Sequence, residues 1–137
     1  MDDAVARYCA ASEANDVDAM LATLAPDAAL VSPLSGHMVF RGRDDLRVLL
    51  GAVYGSIDGL RWATPVGNSP TRLVLADGRV GGLRLGDAMV FELDDTGLIR
   101  TVRPHLRPWL ATTVFALLLG PKVARHPGVV WRALRSR

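Results

Sequence analysis

Residues 79–93 read RVGGLRLGDAMVFEL and form the longest β-like segment of the chain. Three glycines, Gly81, Gly82 and Gly86, interrupt this segment, and glycine inside a strand weakens a flat sheet. Glycines at such positions suit β-bulges, which bend a strand and increase its twist. The segment therefore predicts the central strand of a curved antiparallel sheet that bends around a cavity.

Further β-like segments flank this one and are separated by residues that favour turns. The candidate strands are residues 60–66, 71–76 and 98–106, and the candidate turns are Gly67-Asn68, Asp77-Gly78 and Asp95-Thr96-Gly97. Two shorter strands are predicted earlier in the chain, at residues 28–32 and 38–40.

Three helices are predicted from apolar residues at helical spacing. The first two cover residues 5–12 and 17–24, with Asn15-Asp16 suited to start the second, and the third carries an inward stripe from Leu46 to Tyr54. Because the helices come first and most of the sheet follows, the order indicates an α+β fold with helices on one face.

Composition limits the remaining possibilities. The chain has 137 residues, half of them apolar and 22% charged, which is typical of one compact domain. Cys9 is the single cysteine, so neither an internal disulfide nor a thiolate zinc cluster can form. The chain does not begin with a basic and then apolar leader, and we expect a cytoplasmic protein.

Charge is distributed unevenly along the chain. Residues 1–95 hold all 14 acidic residues and eight arginines, whereas residues 96–137 hold seven arginines and Lys122 without an acid. Such a split points to a basic tail that meets an acidic partner or membrane, or to two regions that attract each other. Basic residues with interleaved aromatics occur only at the extreme C-terminus, so we do not expect nucleic-acid binding.

The last 30 residues are predicted to form two helical pieces. Residues 109–119 carry no charge and are followed by Gly120-Pro121, and a second piece begins at Pro127 with the cations Arg132, Arg135 and Arg137. The first piece is too short to span a bilayer, for which about 20 residues are needed. It either covers exposed apolar sheet or the mouth of the cavity, or packs against its copy in a dimer, or docks with the second piece on an anionic membrane surface.

Two parts of the sequence resemble the ketosteroid isomerases of the nuclear transport factor 2-like superfamily. The first runs from Ala6-Arg7-Tyr8 through Asn15-Asp16-Val17-Asp18 to Val31-Ser32-Pro33, and the second is Gly86-Asp87-Ala88-Met89-Val90-Phe91 followed by Gly97-Leu98-Ile99. The resemblance implies a cone in which three helices wrap a curved sheet around an apolar pocket, as a homodimer. It divides the chain into a cone domain, residues 1–107, and a divergent C-terminal extension, residues 108–137.

The resemblance also implies a catalytic constellation. Tyr8 corresponds to an oxyanion-binding tyrosine and Asp87 to a protonated aspartic acid, two groups that stabilise an enolate without being charged. The position of the usual carboxylate base is occupied by Ser32, which cannot accept a proton from carbon unaided. His105 or His37 would then have to serve as the base.

Each of these residues also has a structural explanation. Tyr8 suits a core aromatic whose hydroxyl finds a backbone partner, Asp87 suits an edge carboxylate paired with an arginine, and Cys9 suits a small buried apolar residue. The remaining candidates for ligand contact are Ser32, His37, Trp62, Met89, Phe91, Val102 and Arg103.

The sequence thus predicts a protein that binds a small apolar ligand, similar to ketosteroid isomerases and SnoaL-like cyclases, with isomerisation or cyclisation through an enolate as the expected chemistry. The alternative is a non-catalytic binding or interaction module with a basic tail. No nucleotide-binding or zinc-protease motif is present and the three histidines are far apart in sequence, so neither a cofactor nor a metal is expected.

Overall fold

The computed structural model describes residues 3–35 and 37–135, and within them it contains five helices and a seven-stranded sheet. The helices are α1 (Ala4–Glu13), α2 (Val17–Ala22), α3 (Arg43–Tyr54), α4 (Trp109–Ala124) and α5 (Pro127–Arg135). The strands are β1 (Leu24–Val31), β2 (Val39–Arg41), β3 (Asp58–Trp62), β4 (Thr71–Val80), β5 (Leu83–Leu93), β6 (Ile99–Arg103) and β7 (Leu106–Arg107). Arg137, predicted as a cation of the second C-terminal piece, lies outside the described residues.

The α+β fold with three N-terminal helices and a curved sheet is confirmed. The strand order is β2-β1-β6-β5-β4-β3, and β7 follows β6 along the same strand, β5. One pair corrects the prediction of a wholly antiparallel sheet, because β1 and β6 run parallel. Register shifts occur in the β1–β6, β3–β4 and β5–β6 pairs, and such irregularities bend a sheet.

The turn between β4 and β5 corrects a second prediction. Asp77 and Gly78 do not form a turn but pair with Gly86 and Leu85, and the register continues unbroken to Val80 opposite Leu83. The predicted bulge at Gly86 is wrong because Gly86 lies within this unbroken register, and the predicted bulges at Gly81 and Gly82 are wrong because these two residues lie between the strands. These two glycines form the turn itself, with φ angles of 55° and 82°, and a two-residue hairpin turn of type I′ needs positive φ at both positions.

Helix starts follow the expected capping chemistry. The carboxylate of Asp3 accepts a hydrogen bond from the Ala6 N–H at 2.8 Å, and the carboxylate of Asp16 accepts one from the Ala19 N–H at 3.1 Å. Each satisfies a backbone donor that the first turn leaves without a helical partner. The predicted start of α2 at Asn15-Asp16 is thereby confirmed, although α2 ends at Ala22 and β1 already begins at Leu24.

The helix α4 is longer than predicted, because it continues through Gly120-Pro121 to Ala124. A proline inside a helix removes the hydrogen bond to the carbonyl four residues earlier, here that of Leu117. Both Pro121 and Leu117 are exposed, so water reaches this side of the helix and can replace the missing donor. The helix therefore tolerates the proline.

The C-terminal helices are tied to α3 by polar contacts. The Arg132 guanidinium donates two hydrogen bonds to the buried carboxylate of Asp45, at 2.8 and 2.9 Å. Lys122 donates to the Ser56 hydroxyl at 2.8 Å, just beyond the end of α3. Some of the basic charge of the C-terminal region is thus used within the molecule, which agrees with attraction between the two charged regions.

The β4–β5 turn yields a prediction for stability. We expect Gly82→Ala to lower the free energy of unfolding by about 1–2 kcal/mol, because a side chain disfavours positive φ. Steric crowding does not contribute, since no atom lies within 4 Å of a Cβ at this position. Gly120→Ala, equally uncrowded but inside α4, is the control and should gain about 0.5–1 kcal/mol. Urea unfolding measures the free energy of unfolding of both variants. A change of the same sign and size in both would contradict the assignment of Gly82 to the turn.

Candidate active site

A cavity of about 330 Å³ lies between α3, the inner face of the sheet and α4. Most of its wall is apolar, including Leu50, Val53, Leu60, Met89, Phe115 and Leu119. Polar side chains reach the wall at Ser32, Ser35, Tyr54, Asp77 and Asp87. The lining residues Pro33, Leu34, Gly120 and Ala124 are also exposed at the surface, so the cavity reaches solvent near the β1–β2 loop and the end of α4.

Asp87 lies in the middle of β5, opposite Ala76 of β4 and Leu106 of β7. Its Oδ1 accepts a hydrogen bond from the backbone N–H of His105 at 3.1 Å. Burial raises the pKa of this carboxyl to about 6, while the hydrogen bond and the charge of His105 act in the opposite direction. The Asp87 carboxyl can therefore either release or accept a proton near neutral pH.

Two tyrosine hydroxyls meet beside the cavity. The hydroxyl oxygens of Tyr8 on α1 and Tyr54 on α3 are 2.7 Å apart, and either can donate. Tyr8 has no exposed surface and also packs edge-on against Phe91, at a centroid distance of 5.2 Å. Burial raises the pKa of both hydroxyls, and the charge of Asp87 raises each further. Both phenols thus stay neutral, within the electrostatic reach of Asp87.

Tyr54 is the site residue that sequence reasoning missed. Of the two tyrosines, Tyr54 lines the cavity, whereas Tyr8 lies behind it and is not among the described lining residues. The apolar spacing of α3 had placed Tyr54 in a core stripe. A signal was nevertheless available, because a tyrosine on the inward face of a helix needs a partner for its hydroxyl.

Three of the predicted ligand-contact residues line the cavity: Ser32, Trp62 and Met89. The Ser32 hydroxyl oxygen accepts hydrogen bonds from the N–H groups of Leu34 and Ser35, at 3.1 and 3.3 Å. The Trp62 indole N–H donates to the Ser12 hydroxyl at 2.8 Å. Ser32 therefore stabilises a loop, and nothing beside it in these contacts could activate it as a base.

The other predicted residues lie elsewhere. Phe91 and Val102 are buried in the core behind the cavity wall. Arg103 is exposed because its neighbour Val102 points inward and successive side chains of a strand alternate. His37 and His105 are both exposed, and the His105 Nδ1 lies 3.0 Å from the Ala88 carbonyl oxygen, to which it can only donate. The structure does not bring either imidazole into the cavity.

The described residues contain no group of three or more His, Cys, Asp or Glu side chains that could hold a metal ion. Besides the solvent-exposed Asp77, the wall groups that can take part in acid–base chemistry are the carboxyl of Asp87 and the hydroxyl of Tyr54, with Tyr8 behind it. Such a set can accept one proton and donate hydrogen bonds to an oxygen, in surroundings that are mostly apolar.

A family model described as a SnoaL-like domain matches residues 5–101. Among solved structures, an uncharacterised protein with a cystatin-like fold from Silicibacter pomeroyi superposes with a TM-score of 0.89 at 21% identity, covering 97% of this chain and 95% of that one. A steroid delta-isomerase from Pseudomonas aeruginosa gives a TM-score of 0.80 at 19% identity, covering 91% and 92%. Comparison with curated proteins finds no match.

These similarities confirm the fold but not a reaction. A de novo designed protein with a curved β-sheet also superposes with a TM-score of 0.68 at 14% identity, covering 86% of this chain and 93% of that one, so the shape alone carries no activity. Coverage of 97% by the first structure extends beyond residue 107. The two C-terminal helices are therefore shared with a solved relative, whereas the resemblance in sequence ended near residue 106.

Asp87 gives a prediction for the pH dependence of stability. The folded protein keeps this carboxyl protonated up to about pH 6, whereas the unfolded chain releases the proton near 3.8. Stability is therefore lost as the pH rises from 3.8 towards 6, and the total loss is about 3 kcal/mol. Asp87→Asn, which still accepts from the His105 N–H, removes this loss.

We expect the variant to match the native protein below about pH 4 and to be more stable by up to about 3 kcal/mol above about pH 6.5. Urea unfolding at a series of pH values measures the difference, in which the titration of all other groups cancels. A difference that shrinks as the pH rises would contradict the raised pKa.

Proposed function

Because this chain belongs to the SnoaL-like domain family, within the nuclear transport factor 2-like superfamily, we propose that it binds a small, largely apolar molecule in the cavity of about 330 Å³. The observation that carries the proposal is a mostly apolar wall that also carries the side chains of Asp87 and Tyr54, two of the few polar residues that reach it. Cavities that bind small molecules have this composition, in which apolar area supplies affinity and a few polar groups fix orientation.

The wall favours a ligand with one polar end. Apolar ligand surface that leaves water gains about 25 cal/mol per Å². A carbonyl or hydroxyl oxygen of the ligand would accept from the Tyr54 hydroxyl, whose own oxygen can accept from Tyr8. This arrangement leaves no hydroxyl of the pair without a partner, which matters because an unpaired buried hydroxyl is costly.

A second and more specific function is proton transfer through an enolate, and the protonation behaviour of Asp87 favours it. With a pKa of about 6, the carboxyl is mainly ionised at pH 7 and can accept a proton from the carbon beside a ligand carbonyl. The C–H electron pair becomes the C=C bond, and the carbonyl oxygen takes the negative charge. Tyr54, supported by Tyr8, donates a hydrogen bond to that oxygen.

This assignment differs from the one that the sequence resemblance implied. There Asp87 would remain protonated and donate to the oxyanion, and a histidine would act as the base. The exposed positions of His37 and His105 make Asp87 the better proton acceptor. Protonated Asp87 then returns its proton to a different carbon of the same ligand, which completes an isomerisation or prepares a ring closure.

Binding can be tested with two neighbouring positions on α4. Ala116 lines the cavity, whereas Leu117 is exposed on the other side of the helix. We expect Ala116→Phe to weaken the binding of 2-naphthol, an apolar molecule with one hydroxyl, by at least about tenfold, a loss of about 1.4 kcal/mol. Leu117→Phe should leave the affinity unchanged. Equilibrium dialysis measures both, and equal effects would place the ligand outside the cavity.

Enolate formation can be tested without knowing the natural substrate. In deuterium oxide the protein should accelerate exchange of the α-hydrogens of 2-tetralone, followed by proton NMR. Asp87→Asn should lower the catalysed rate by about 10²–10⁴-fold because the base is lost. Tyr54→Phe should lower it by about 10²–10³-fold because one oxyanion donor is lost.

The control is His105→Ala, which keeps the backbone N–H that Asp87 uses but removes a charge that lowers the Asp87 pKa, so it should exchange at the native rate once the pH is high enough to ionise Asp87 fully. Loss of exchange in this variant alone would make the histidine the base. Binding of 2-tetralone with exchange no faster than in buffer would leave the protein as a non-catalytic binding module.

A further inference from the structure

The two C-terminal helices expose an unusually large apolar surface. Its side chains, which we call the α4–α5 outer surface, are Trp109, Leu110, Leu117, Leu118, Trp131 and Leu134. Their exposed fractions run from 42% for Leu118 to 79% for Trp109. Single exposed apolar residues are common on monomers, but a group of six on two packed helices marks an interaction site.

Both sides of α4 are mostly apolar, but only the inner side packs against the rest of the protein. Phe115 and Leu119 on the inner side line the cavity, and the outer side between Leu110 and Ala124 carries no charged residue. The one charged residue of the helix, Lys122, donates to Ser56. The uncharged outer side runs along this 16-residue helix, whose length is about 24 Å at 1.5 Å per residue.

Basic residues lie near the ends of the two helices. Residues 96–137 contain no acid, and Arg107, Arg125 and Arg135 are exposed at or near the ends of the two helices. The Arg135 guanidinium lies 5.8 Å from the Trp131 ring centroid, so a cation lies beside an exposed aromatic ring on the surface of α5. An apolar strip with cations and tryptophans at its border matches the interface of an anionic bilayer, where chains and headgroups lie at successive depths.

We propose that the α4–α5 outer surface docks on membranes that contain anionic lipids. No helix of the described residues is long and apolar enough to cross a membrane, so α4 and α5 would lie along the surface of the bilayer. The Asp45–Arg132 and Lys122–Ser56 contacts hold both helices in place beforehand. Docking therefore needs no folding step, and the tryptophans would lie at headgroup depth.

The charge of this surface favours an anionic membrane over a second copy of the chain as its binding partner. A two-fold contact through the same surface would bring the exposed arginines of both copies together, and the segment has no acid to pair with them. Like charges directed at each other disfavour association, whereas anionic headgroups neutralise each cation. Charge complementarity thus favours the lipid surface.

The experiment is co-sedimentation of the full chain with vesicles of phosphatidylcholine, with and without phosphatidylglycerol. The native protein should sediment with the anionic vesicles only, and less so as salt is added. Leu117→Ser with Leu118→Ser should lower the partition coefficient by at least about tenfold. Arg125→Ser with Arg135→Ser should lower it by about fivefold for each cation removed.

The matched control is Val66→Ser with Leu75→Ser, because these residues of the sheet region are 62% and 56% exposed but lie outside the α4–α5 outer surface. This variant should sediment like the native protein. The proposal would be overturned if the Val66/Leu75 variant lost as much vesicle binding as the Leu117/Leu118 variant. It would also be overturned if the native protein did not sediment with anionic vesicles. Sedimentation velocity showing that Leu117→Ser with Leu118→Ser dissolves a dimer while lipid binding is unchanged would overturn it as well.

Discussion

The hydrogen bond between the hydroxyls of Tyr8 and Tyr54 is the contact on which the site depends. It joins α1 to α3 at 2.7 Å, and Tyr8 has no route to water because its ring is completely buried. Leaving the Tyr8 hydroxyl unpaired would cost about 1–3 kcal/mol, so the fold holds Tyr54 in one orientation. Of the two tyrosines, it is Tyr54 that lines the cavity together with Asp87.

Much of the fold could be predicted because apolar periodicity and turn residues are local signals. The parallel pairing of β1 with β6 could not be predicted, since these strands lie about 70 residues apart in sequence and are brought together only by tertiary packing. The β4–β5 turn shows the same limit. Asp77-Gly78 and Gly81-Gly82 both suit a turn, and the choice is decided by ten cross-strand pairs in one register, which no short window of sequence contains.

The site was predictable in part for a similar reason. An acid among apolar residues on a strand is unusual enough to single out Asp87, and burial raises its pKa as expected. Tyr54 was missed because an inward aromatic on a helix looks like core until its partner on another helix is known. The sequence does not indicate that the segment between β6 and β7 brings the backbone N–H of His105 to Asp87 while the His105 ring lies against the Ala88 carbonyl oxygen.

The C-terminal helices connect the two surfaces of the protein. Residues 109–119 are apolar around the whole helix, a pattern that fits either internal packing or an external non-aqueous partner. The two sides of α4 have different surroundings. Phe115 and Leu119 close the cavity, whereas Leu110 and Leu117 are exposed. Burial is the largest cause of the raised Asp87 pKa, and α4 helps to keep water from the cavity that Asp87 lines. The proton affinity of the site therefore depends on how firmly α4 is held, directly by Lys122 on Ser56 and, through the adjoining α5, by Arg132 on Asp45.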